Sequence, residues 1–100
     1  MRDKVFDQIH QAVIAKRDGA HVAALFSYRN AIEAANYETG SARILYHAVL
    51  YAEQLKKELD REAVILWAQS TLERIPADNL TEIVSREIEE LKREGKNATA

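Results

Sequence analysis

Apolar side chains recur every three to four residues along most of this chain, the spacing of helices that bury one face. Val5, Phe6, Ile9, Ala12 and Val13 mark a first helix over about residues 2–17, with Asp7, Gln8, Gln11 and Lys16 opposite. Asp18-Gly19 should end it, because glycine takes the left-handed conformation without a Cβ clash. A second helix over about 20–37 follows from Val22, Leu25, Phe26, Tyr28, Ala31, Ile32 and Ala35. Thr39-Gly40-Ser41 is the sharpest punctuation. Gly40 reads as the stop of the second helix, and Ser41 as the N-cap of the third, its hydroxyl accepting from an unpaired backbone N–H.

The remaining pattern is organised around Ser41 to Ile75. Its centre, Ile44-Leu45-Tyr46-His47-Ala48-Val49-Leu50-Tyr51-Ala52, is apolar nearly all round, so a helix carrying it must be covered on more than one face. One uninterrupted helix there would be long for a small domain, and a turn is expected near Lys57 to Arg61, where the stripe lapses and Asp60 can cap a new start. Val64, Trp67, Ala68, Thr71, Leu72 and Ile75 form the next stripe, broadened by Ile65 and Leu66, with Trp67 expected as the largest buried side chain. Pro76-Ala77-Asp78-Asn79 separates it from a last helix whose face is Leu80, Ile83, Val84, Ile88 and Leu91. A frayed tail is expected from Gly95, so residues 1–94 form one domain and 95–100 a flexible end.

These elements give an all-α fold of about five helices: two antiparallel helical hairpins and a C-terminal closing helix. Composition agrees, since three Gly and one Pro leave little turn material and the abundant residues are helix formers. The net charge of −2 gives no electrostatic footprint for nucleic acid. No apolar run is long enough for membrane insertion, and no signal-peptide core follows Met1. With no cysteine, disulfides and thiolate chemistry are excluded, and a cytoplasmic setting is the expectation.

Shifting the chain against itself by 39 residues aligns Val5 with Ile44, Phe6 with Leu45, Ile9 with Ala48 and Val13 with Ala52, then Leu25 with Val64 and Tyr28 with Trp67. A fixed shift relating two helix pairs marks a helical-repeat architecture. The second helix carries Ala24-Leu25-x-x-Tyr28-x-x-Ala31-Ile32-Glu33 after Gly19, which resembles the second helix of a tetratricopeptide (TPR) repeat. Small residues there let paired helices approach while the aromatic fills the next groove. The second copy, Ala63-x-x-x-Trp67-x-x-Ser70, lacks the glycine, and the period exceeds the ~34 of that family. The same pattern, followed by Ala52-Glu53-Gln54-Leu55-Lys56-Lys57-Glu58-Leu59, is similar to the microtubule-interacting-and-trafficking (MIT) domain. Both resemblances imply binding of a partner peptide in a groove between helices. Carried over by position, they imply Ala48, Ala52, Leu55 and Lys56 as partner-facing residues, with Phe6, Ile9 and Val13 their counterparts in the first hairpin. The competing expectation is that Ala52 and Leu55 pack on the last helix through Ile83 or Ile88.

Chemistry is sparse. Arg43 and His47, one helical turn apart, resemble the arginine–histidine signature of HEPN ribonucleases, with one fewer intervening residue than that signature has. The competing reading is a histidine packed beside Tyr46 and Tyr51 with Arg43 in solvent. His10, His21 and His47 make no metal-binding pattern, and neither a cofactor nor a metal is expected. The expected function is a protein-interaction module without enzymatic activity, holding a partner helix or peptide. The alternatives are a small HEPN-like ribonuclease using Arg43 and His47, or a homodimerising bundle that buries Leu50 and Ile65-Leu66 against a second copy.

Overall fold

A computed structural model describes the backbone of residues 2–55 and 60–99, and the side chains of 4–55 and 60–94. The described residues form five helices: α1 (Arg2–Arg17), α2 (His21–Ala34), α3 (Ser41–Leu55), α4 (Arg61–Arg74) and α5 (Asn79–Thr99). No strand occurs among the described residues. No described helix is long and apolar enough to cross a membrane.

The helix ends follow from local hydrogen bonding. After α1, Gly19 takes a φ of +76°. The Gly19 amide then donates to the Lys16 carbonyl and the Ala20 amide to that of Ala15, closing the last turn on itself. The same closure ends α2, but at Asn36, four residues before the expected glycine. Asn36 (φ 55°) and Tyr37 (φ 56°) are both left-handed, with the Asn36 amide on the Glu33 carbonyl and Tyr37 on Ile32. Asn tolerates that conformation through its short polar side chain. Tyr37 is held there from outside, by packing against the core and by the Arg74 guanidinium 3.7 Å from its ring centroid.

Ser41 does not act as an N-cap. It is the first residue of α3, fully buried, and its Oγ has no hydrogen-bond partner among the described residues. The preceding turn serves the first amides instead: Ser41 N–H donates to Glu38 and Ala42 N–H to Thr39. The break inside the long central stretch is where α3 stops at Leu55 and α4 starts at Arg61. Asp60 caps α4, its Oδ1 accepting from the Ala63 amide at 3.1 Å. Lys57, Glu58 and Leu59, within the expected turn, lie outside the described residues. Asp78 and Thr81 cap α5 reciprocally, each side chain accepting from the other's backbone amide at 3.0 and 2.8 Å. The backbone of α5 stays helical through Gly95 to Thr99, past the start of the expected tail; one glycine costs a running helix only about 1 kcal/mol.

Packing centres on α3, which contacts α2, α4 and α5, while α1 packs on α2 and α5 also on α4. The main core joins Leu45, Ala48, Val49 and Ala52 of α3 with Ile32, Val64, Ala68, Val84, Ile88 and Leu91. A smaller cluster, Ala24, Tyr51 and Leu55 with Ala15 and Leu25 against it, ties the α1–α2 turn to the end of α3. The 39-residue shift extends one helix further. It carries Ala42, Leu45, Val49 and Ala52 onto Thr81, Val84, Ile88 and Leu91, and all eight are buried.

The molecule is flat, with extents of 46 × 33 × 17 Å. Helices pack 8–10 Å apart, so its thickness admits about two layers. Outer helices therefore bury one side only.

Candidate functional site

Ala48, Ala52 and Leu55 are all buried within the chain, so they line no open groove. Ala48 and Ala52 share the core with Val84, Ile88 and Leu91 of α5, and Leu55 belongs to the cluster around Tyr51. Ile88 thus takes the covering role considered for it, whereas Ile83 stays exposed. The reason is geometric: small side chains that would let a partner helix approach have admitted α5 instead. Lys56 lies outside the described residues. The first-hairpin counterparts behave differently. Phe6 and Val13 are 63% and 54% exposed, with Ile9 half-buried between them.

An open groove lies between α2 and α4. Val22, Leu25, Phe26 and Arg29 form one wall and Asp60, Ala63, Val64 and Trp67 the other, around about 330 Å³ of accessible space. Val22 and Phe26 are 61% and 53% exposed. Trp67 is therefore not the deepest core residue; it is half-buried and shows part of its surface to the groove. The reason lies in α4, whose fully buried side is Val64, Ala68 and Thr71, with Trp67 to one side of it. Among the described residues, the charged groups on the walls are Arg29 and Asp60. Arg29 pairs with Glu33 at 3.1 Å and stands 5.8 Å from the Phe26 ring centroid. Asp60 is committed to capping α4.

Periodicity alone grouped Val22 and Phe26 with the buried face of α2. In fact Phe26 is two residues from both Ala24 and Tyr28, about 200° round the helix from that face. An apolar arc too wide for one contact was the available signal.

Arg43 and His47 are both exposed on α3 and line no part of this groove. The His47 ring lies 6.0 Å from that of Tyr46. Tyr51, by contrast, is buried and pairs with a different histidine: its hydroxyl lies 2.7 Å from His21 Nδ1, with Lys16 Nζ 5.0 Å from its ring centroid. This cluster locks the α1–α2 turn onto α3. No group of three or more His, Asp or Glu among the described residues is placed to hold a metal.

One carboxylate stands out. Burial at the α3–α5 seam, then a hydrogen bond and like charge from Glu87, then Glu94 and Glu90, push the Glu53 carboxyl up to about 7. Across the seam, Arg61 of α4 lies 3.6 Å from Glu94. Compared with known family models, with curated proteins and with solved structures, the chain matches none.

Proposed function

We propose that this protein is an interaction module that receives the apolar side of a partner helix or peptide in the groove between α2 and α4. The observation that carries the reading is the groove itself. A small domain gains by burying Val22 and Phe26, at roughly 25 cal/mol per Å² of apolar surface, and here both remain open beside Trp67. Apolar walls with few charges are what helix-in-groove recognition uses. The extension of the 39-residue shift into α5 supports a repeat of the TPR kind. The groove nevertheless lies between the second helices of the two hairpins, where the resemblance implied the first. A cytoplasmic setting suits a chain without cysteine.

The test is to pan a phage-displayed library of amphipathic helical peptides against the immobilised protein. Recovered peptides should carry bulky apolar residues one and two turns apart and should lose binding to Phe26→Glu. Recovery of none, or equal retention by that variant, would remove the groove as a binding site.

A further inference from the structure

Six large apolar side chains are exposed among the described residues: Phe6, Val13, Val22, Phe26, Leu66 and Ile83. Four of them form two surfaces of opposite shape. Val22 and Phe26 belong to the concave groove. Phe6 and Val13 stand with Ile9 along one side of α1 at positions i, i+3 and i+7, which makes a convex ridge two turns long. That spacing is the anchor pattern of a helix that seats in an apolar groove.

We propose that the α1 ridge of one copy of this chain seats in the α2–α4 groove of a second copy. The inference rests on the groove reading above and names its occupant. Two further observations favour the second copy. The 39-residue shift places Phe6, Ile9 and Val13 on Leu45, Ala48 and Ala52, which are fully or almost fully buried within the chain. The ridge therefore occupies positions that α5 covers on α3, while Phe6 and Val13 stay exposed on either side of Ile9, which packs partly against the core.

Charge agrees as well. Arg17, exposed and 3.8 Å from Asp18, lies one turn beyond Val13 on the same side of α1; in the groove Arg29 is neutralised by Glu33 on its own helix, while Asp60, whose Oδ1 caps α4, has no cation paired with it among the described residues. Because ridge and groove are different surfaces, two copies can exchange ridges in a closed pair or link head to tail.

The chain supplies its own reporter, since its only tryptophan, Trp67, lines the groove. Sedimentation equilibrium and tryptophan emission would be followed from about 5 to about 500 µM protein, a range that covers weak to moderate self-association. Mass should rise with concentration and the emission should shift to the blue. Phe6→Glu and Phe26→Glu, both at exposed positions, should each weaken association on the order of tenfold or more while circular dichroism stays that of the parent. Mixing the two variants should restore a 1:1 complex, because one brings an intact groove and the other an intact ridge.

A monomer throughout the range would overturn the proposal. So would association that neither variant weakens, or a mixture that fails to complement. Monomeric protein that still retains amphipathic peptides from the library would leave the groove reading standing and remove only this occupant. Monomeric protein that retains none would remove both.

Discussion

At the scale of single residues, burial and pairing decide what each side chain does, and four substitutions follow. Leu45 is fully buried and Trp67 only half-buried, so Leu45→Ala should cost about 2–5 kcal/mol in urea unfolding and Trp67→Ala clearly less than a fully buried tryptophan would. Ser41→Ala should leave stability unchanged or raise it, because a buried hydroxyl with no partner among the described residues only carries a desolvation cost. Were Ser41 an N-cap, the same change would cost about 1 kcal/mol. Glu53 sets a pH dependence. Its folded-state carboxyl titrates at about 7 against an ordinary 4.5, so the native state holds its proton more tightly than the unfolded chain. That contribution is fully present below pH 4.5 and is lost as pH rises through 7. Glu53→Gln should therefore flatten the melting temperature across that window and raise it at about pH 8, measured by thermal denaturation in a buffer series.

At the scale of elements, helix ends and helix faces were legible to different degrees. Gly19 and Asp60 act as their residue types and positions imply, one by its left-handed backbone and the other by its carboxylate. The end of α2 was not readable at Gly40, because Asn36 and Tyr37 close the helix first with support from Arg74 of α4, a contact remote in sequence. Asp78→Ala should remove one half of the reciprocal cap on α5 and cost about 1 kcal/mol. Leu55→Glu would place a charge in the cluster of Ala24 and Tyr51, and the expected result is loss of cooperative unfolding. A Leu55→Glu protein with an unchanged melting temperature would return Leu55 to the surface.

At the scale of the whole molecule, α5 is the cover of the central helix. Truncation after Ala77 would uncover Ala48, Val49 and Ala52 together, and the shortened chain should lose its sharp urea transition and bind apolar dyes. A cooperative transition of undiminished midpoint would show that α3 is held by the first hairpin and α4 alone. The flat shape also explains why so many large apolar side chains remain outside. In a body 17 Å thick, a helix with an apolar arc wider than one contact cannot bury all of it.

The pattern of apolar and polar positions by itself determined the helical class, the number of helices, most of their boundaries and the central place of Ile44 to Ala52. Those features depend on residues three to five apart, whose relation a helix fixes before any packing occurs. What only the tertiary structure decided is which part of each wide apolar arc is covered. Ala48, Ala52 and Leu55 offered the small or apolar surface a partner could use, but α5 and the α1–α2 turn reach that surface first. Val22, Phe26 and Trp67 were read as core for the same periodic reasons as their neighbours, yet Val22 and Phe26 stay exposed and Trp67 only half-buried beside an open groove. Periodicity reports that a face is apolar. It carries no information on what arrives to cover it, because that depends on contacts between segments far apart in sequence.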